Sequence, residues 1–181
     1  MSETNDQIIA RVERWVSEVV IGLNLCPFAK AVYSKQQIRY VVLNANDRDQ
    51  VADTLCDEMA LLATLSPNDT DTTVLIVRNA LEAFEDYNDF LGVADALIEG
   101  LGFTGVFQVA SFHPQYQFDG TSADDVTNLT NRAPYPLLHI LREESVDRAV
   151  SGYPDASDIY KRNMETMRGL SRAQRAALGL A

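Results

Sequence analysis

Three short runs rich in β-branched and aromatic residues, Gln37–Leu43, Thr73–Val77 and Val106–Phe112, alternate with segments whose apolar residues recur at helical spacing. That alternation constrains the chain more than any other feature. Strand, helix and strand joined by short connections fold as parallel strands with right-handed crossovers. In the first interval Asn46-Asp47 supplies a cap, and Val51, Leu55, Met59 and Leu62 put one helix face on a core. In the second, Tyr87, Phe90, Leu91, Ala94, Leu97, Ile98 and Leu101 define a helix over about 86–100, stopped by Gly102. The expected fold is therefore α/β, with a small, mainly parallel three-stranded β-α-β-α-β sheet. Three strands need further cover. An N-terminal helix over 6–23, with a stripe through Ile8, Val12, Trp15, Val16, Val19, Val20 and Leu23, supplies part of it. A short helix over 27–34 follows, opened by Pro27, and helices at 135–149, 155–168 and 171–179 form a helical C-terminal part spanning 135–181.

A chain of 181 residues with 46% hydrophobic residues can bury one sizeable core. No repeat or linker divides it, so a single domain over 1–181 is expected. The net charge of −11 repels phosphate backbones, which argues against nucleic acid as a partner. The charge is uneven: from Lys161 onward five basic side chains (Lys161, Arg162, Arg168, Arg172, Arg175) face one acid, Glu165. The start, Met1-Ser-Glu-Thr-Asn-Asp6, is unlike a signal peptide, and no apolar run is long enough for a bilayer. A cytoplasmic, soluble protein with no membrane partner is expected, its two cysteines, Cys26 and Cys56, reduced. Asn68-Asp-Thr70 and Asn128-Leu-Thr130 match the glycosylation pattern but carry no weight without secretion.

Gly100-Leu-Gly-Phe-Thr-Gly105 spells the dinucleotide-binding pattern G-x-G-x-x-G. That motif needs a strand before it and a helix after it, and here the order is reversed. It reads as a helix cap and turn. Between His113 and Pro136 the periodicity is lost, leaving a loop longer than most compact domains hold without a functional reason.

Candidate chemistry gathers at this loop and at Cys26. Cys26 precedes Pro27 at the expected start of a short helix, where free N–H groups favour a thiolate; the competing reading is a small buried apolar residue. His113 follows the third strand, and ligands of open parallel sheets bind outside the carboxyl ends of strands, where Asn44 and Arg78 are also expected. Its alternative is a strand-end histidine bonded to a carbonyl. Tyr135, His139 and Arg142 share one face of the expected 135–149 helix and could flank an anion, or form its polar edge. Asp124 and Asp125 read as caps of a short helix through Asn131. Arg132 offers a planar fork for carboxylate or phosphate.

The strings Asn24-Leu-Cys-Pro-Phe-Ala-Lys30, Phe112-His-Pro-Gln-Tyr-Gln-Phe-Asp-Gly120, Asp124-Asp125 and Thr130 through Val150 resemble the bacterial proteins grouped as domain of unknown function family 1415. The resemblance runs from the first helix to about Val150 and implies an uncharacterised soluble protein with no established activity to carry over. Ala133 stands where that family often has serine, so no mechanism here rests on a hydroxyl at that position.

Three functions compete. In the first, the chain is a hydrolase or transferase acting on a small anionic substrate, with Cys26 as nucleophile, His113 or His139 as base, and Asn131, Arg132, Tyr135 and Arg142 binding the substrate. In the second, Cys26, His113 and His139 hold a metal, with Asp124 or Asp125 as fourth ligand. In the third, a non-catalytic module docks a partner through its basic C-terminal helices, and the loop is a hydrogen-bonded knot. No cofactor is assigned, and the oligomeric state is open.

Overall fold

The protein is described by a computed structural model covering residues 3–152 and 156–180. The sheet has four strands in the order β1-β2-β4-β3. β1 (Ile38–Asn44) runs parallel to β2 (Thr72–Arg78), in register from Ile38 opposite Thr72 to Asn44 opposite Arg78. β4 (Leu137–Arg142) lies between β2 and β3 (Phe107–Phe112) and is antiparallel to both. The three strands expected from the sequence thus run in one direction, but they do not form the three-stranded sheet expected. A fourth strand, entering last, separates β2 from β3.

The 135–149 helix is the corresponding correction. Its first half is β4, and only Glu143–Val150 is helical (α5). Tyr135, His139 and Arg142 therefore share no helix face. The segment Leu137-Leu-His-Ile-Leu-Arg142 is buried on both sides of the sheet, so it reads as a continuous apolar run rather than an alternating one. Such a run fits a buried helix as well as a central strand, and three leucines tilt it toward helix.

The remaining elements fall where the periodicity puts them. The first helix is α1 (Asn5–Trp15), capped by Thr4, running directly into a π-helical stretch, Val16–Ile21. Gly22 closes this stretch by an N–H bond to the Ser17 carbonyl; a Cβ there would sit 2.2 Å from the Glu18 carbonyl oxygen, so only glycine fits. Then come α2 (Ala29–Ser34), α3 (Arg48–Thr64) and α4 (Phe84–Gly100). The last helices are α6 (Ala156–Gly169) and α7 (Arg172–Ala177); residue 155, where the sequence places the start of α6, lies outside the described residues. Gly102 and Gly105 have φ of +74° and +78°, the left-handed turn that the G-x-G-x-x-G string encodes instead of a phosphate loop. Among the described residues no helix is long and apolar enough to cross a membrane.

Two cores sandwich the sheet. α3 and α4 cover one face, packing Leu55, Met59, Leu62, Tyr87 and Phe90 on Leu75, Val77, Leu138 and Ile140. α1, its π-helical continuation and α6 cover the other, packing Val12, Trp15, Val19 and Met167 on Val74, Ile76 and Leu137.

Both ends of β4 are fastened by side chains. At its start the Tyr87 hydroxyl enters the β3–β4 ladder, donating to the Leu137 carbonyl at 2.6 Å and accepting the Phe112 N–H at 3.0 Å. At its end Arg142 Nη2 donates to the carbonyls of Leu62 (2.6 Å) and Leu65 (2.9 Å), closing the C-terminus of α3 where carbonyls lack helical partners. Asp71 lies 3.7 Å from its Nε and also accepts the Ser145 hydroxyl at 2.7 Å. Replacing Tyr87→Phe leaves one carbonyl and one N–H unpaired in the interior. The expected loss is about 2–4 kcal/mol of unfolding free energy in urea titration, with the α-helical circular dichroism retained.

Candidate functional site

The long 113–136 segment is an ordered knot built around one asparagine. Fully buried Asn128 accepts the Phe118 N–H (2.9 Å) and the Thr121 hydroxyl (2.9 Å) on Oδ1, and donates from Nδ2 to the Ser122 carbonyl (2.8 Å). Asp125 caps a 3-10 turn, Val126–Asn131, by accepting the Thr127 N–H at 2.9 Å, as its position in the sequence suggests. Asp124 accepts the Ser122 hydroxyl at 2.6 Å. Arg132 spans the loop, donating to the carbonyls of Tyr116 (3.2 Å) and Ala123 (2.6 Å). Asn131 donates to the Ser111 carbonyl at 3.1 Å while its own carbonyl accepts the His113 N–H.

His113 is buried against the rings of Phe84 and Tyr87, and both its nitrogens are engaged. Nδ1 accepts the Gln115 N–H at 3.0 Å, so Nε2 carries the proton and donates to the Leu81 carbonyl at 3.1 Å. Leu81 and Asn79 have φ of +55° and +66°, a turn that a leucine adopts only under constraint; His113 supplies part of that constraint. Burial lowers the His113 pKa. The imidazole thus has no lone pair to offer a substrate or a metal without giving up the Gln115 N–H on Nδ1 or, in the other tautomer, the Leu81 carbonyl on Nε2.

His139 sits on β4, opposite Val74 on β2 and Ala110 on β3. The Thr72 hydroxyl donates to the Ile140 carbonyl at 2.5 Å, so it accepts from His139 Nε2–H at 2.7 Å and fixes that tautomer. Part of the residue reaches solvent, but the ring lies deep among apolar neighbours, and burial pushes its pKa down to about 4. Cys26 is half-buried in the turn before α2, where it packs on the apolar clusters around Ala29 and Leu141. Burial raises its pKa and outweighs the N–H groups of Ala29 and Phe28, which act in the opposite direction. The helix expected over 27–34 begins only at Ala29 with Phe28 as its N-cap, so Cys26 precedes the cap position expected for it; it still meets the first N–H groups, but desolvation dominates. Tyr135 lies apart from these groups: its hydroxyl donates to Glu3 Oε2 at 2.5 Å, and Arg78 stacks over its ring at 5.2 Å. Arg142 is committed to the end of α3, as described above. Among the described residues no group of three or more His, Cys, Asp or Glu is placed to hold a metal ion, so the geometry gives no support to a metal on Cys26, His113 and His139.

What the structure does bring together is a cleft of about 540 Å³. One wall is α1 and the π-helical stretch after it, with Arg11, Arg14, Trp15 and Glu18; a second is Pro114, Leu129, Arg132, Ala133 and Pro134; a third is the C-terminal turn Ala176–Leu180. Trp15 ties the first two walls by donating Nε1–H to the Arg132 carbonyl at 3.0 Å. The third is anchored by Leu180, which the turn at Gly179 (φ +70°) directs back into the core. Arg11 and Arg14 are largely exposed, paired with Glu3 at 2.9 Å and Glu18 at 3.0 Å. Of the site residues proposed from sequence, only Arg132 lines this cleft. Arg11, Arg14 and Trp15 were missed as ordinary members of an amphipathic helix; the one available signal was that the chain's single tryptophan sits one residue from an arginine pair spaced i, i+3.

The fold and this cleft define a mixed α/β protein with a concave, guanidinium-lined surface and no group placed to hold a metal among its described residues. The family model described as protein of unknown function (DUF1415) matches residues 7–177, and the chain belongs to that family. It matches no curated protein and no solved structure.

Two measurements follow from these environments. Iodoacetamide at pH 7 alkylates Cys26 more slowly than a free thiol of pKa about 8.5, and the rate keeps climbing above that pH; fast alkylation below pH 7 would restore the nucleophile. His139 titrates near 4 in the folded chain and near 6.5 when unfolded. Between those values the unfolded state binds the additional proton. The contribution of this group to stability is intact above about pH 6.5 and is lost progressively as pH falls toward 4, by up to about 3 kcal/mol. Urea unfolding of His139→Gln shows a correspondingly flatter pH dependence over that interval than the parent chain.

Proposed function

We propose that this protein binds a small anionic molecule, a carboxylate or phosphate compound, in the cleft between α1, the 129–134 segment and the C-terminal turn. The observation that carries the reading is the convergence of Arg11, Arg14 and Arg132 on one concave surface in a chain whose net charge is −11. Guanidinium forks match carboxylate and phosphate oxygens, and a bound anion adds to the partial neutralisation that Glu3 and Glu18 give Arg11 and Arg14. Trp15, Leu129, Pro114 and Pro134 add an apolar wall, which favours an anion carrying a short hydrocarbon part.

Binding is better supported than covalent catalysis. The cleft lining holds no thiol, imidazole or hydroxyl, and Glu18 is its one acid. Arg14 and Glu18 are both exposed, and Arg11 is exposed while its partner Glu3 is also held by Tyr135 and Arg78, so both cleft guanidiniums can turn to a ligand oxygen at little cost. Arg132 keeps its shape through the Tyr116 and Ala123 carbonyls, so it enters binding already ordered. Titration calorimetry with inorganic phosphate and with succinate tests the reading. Saturable binding is expected, weakened about tenfold or more in the Arg11→Ala/Arg14→Ala double variant, equivalent to roughly 1.4 kcal/mol, with an unchanged melting temperature. Affinity indifferent to that double change would overturn it.

A further inference from the structure

The Glu3 carboxylate, just ahead of α1, is held by donors from three separate stretches of chain. Oε1 accepts from Arg11 Nη2 at 2.9 Å, while Oε2 accepts the Tyr135 hydroxyl at 2.5 Å and faces Arg78 Nη1 at 3.5 Å. Arg78 and Arg11 also lie over the Tyr135 ring, 5.2 and 6.0 Å from its centre. Two guanidiniums and a phenol thus converge on the two oxygens of one planar group, the donor set that recognises a carboxylate. Arg78 ends β2, and Asn44 ends β1 opposite it in register. Strand alternation makes Arg78 project from the face that carries Val74 and Ile76, the one α1 covers. Ligands of α/β sheets bind outside the carboxyl ends of parallel strands, which is this place. Glu3 fills it imperfectly. Its contact with Arg78 is longer than the roughly 2.8 Å of a good charge-assisted bond, and the other N–H groups of that guanidinium find no acceptor among the described residues. Glu3 is tethered beside the Thr4 cap of α1, whereas a free carboxylate can settle on Arg78 with both oxygens. The Glu3 side chain is 24% exposed, so solvent reaches it and exchange needs only that it turn aside.

We propose that Arg11, Arg78 and Tyr135 bind the carboxylate of an external molecule, and that Glu3 is an internal competitor occupying this site in the free protein. The site shares only Arg11 with the arginine cleft and stands without it. The external group takes the Tyr135 hydroxyl and the Arg11 N–H from Glu3 and adds the donors of Arg78 that Glu3 leaves unused. An internal competitor lowers the apparent affinity for a ligand in proportion to the fraction of molecules it leaves open. Removing the Glu3 carboxylate therefore tightens binding, whereas a carboxylate with a purely structural role would leave no site behind it.

The full chain, labelled with nitrogen-15, is titrated at pH 7 with sodium propionate against sodium chloride at equal ionic strength, following backbone amide and arginine side-chain signals. Saturable shifts at Arg78 and Tyr135 are expected, with a Kd at least tenfold lower in Glu3→Ala than in the parent chain. In the Glu3→Ala background, Arg78→Gln should weaken binding tenfold or more and Tyr135→Phe several-fold. Tyr135→Phe keeps the ring, so it reads the site even where Arg78→Gln fails to fold. Equal affinity in Glu3→Ala and the parent, or full binding in Tyr135→Phe, would overturn the proposal. Shifts confined to Arg14 and Trp15 would overturn it as well, while upholding the arginine cleft. Shifts at Arg78 and Tyr135 with none at Arg14 and Trp15 support this site and count against that cleft.

Discussion

β4 is paired along both edges and packed on both faces, and the rest of the structure depends on that double pairing. Without it β2 and β3 have no contact through hydrogen bonds, and the sheet separates into a parallel pair and a lone strand. A strand in this position must satisfy its backbone groups twice over while presenting no charge to either core. Leu137, Leu138, Ile140 and Leu141 meet the second requirement. The first is completed at the start of the strand by the Tyr87 hydroxyl, and at its end the Arg142 side chain satisfies carbonyls of α3. Each links β4 to a helix on the same face of the sheet, α4 through Tyr87 and α3 through Arg142, so the two helices and the strand are held as one unit.

This arrangement explains why polar residues that look chemical in the sequence serve structure. His113, Asn131 and Arg132 lie where the chain leaves β3 and returns as β4, a long excursion with many backbone groups to satisfy. Their side chains bond to carbonyls rather than to one another, the usual fate of buried polar groups in a loop folded onto a core. His139 is held neutral by its place in the central strand, with Thr72 as its hydrogen-bond partner. Cleft residues obey a different logic: Arg11 and Arg14 sit on the solvent side of α1, where their geometry is adjustable.

Much of the fold was legible in the sequence because it is written in local periodicity. The helices over 5–21, 48–64 and 84–100 and the strands at 38–44, 72–78 and 107–112 each bury one identifiable face or run. Asp125 and the Gly102–Gly105 turn were legible for the same reason, since caps and left-handed turns are local chemistry. β4 was not, because a strand shielded on all sides loses the alternation that distinguishes it from a buried helix. The cleft was less legible still. Arg11, Arg132 and Leu180 come from three distant stretches, and only tertiary packing makes them neighbours. Asn128 shows the same limit: in the sequence it is part of an Asn-Leu-Thr triplet, and only the folded loop reveals that three hydrogen bonds converge on it.

The position of β4 also governs how the molecule comes into being. A ribosome delivers β1, α3, β2, α4 and β3 in order, yet β3 has no neighbour to pair with until residues 137–142 have emerged. During that interval its uncharged sequence, Phe-Gln-Val-Ala-Ser-Phe, is an open edge on a nascent chain. The knot at Asn128 and Arg132 lies between the two strands and orders the connection in the folded chain. The arrival of β4 closes one of the two edges of β3, and the other stays unpaired in the finished sheet.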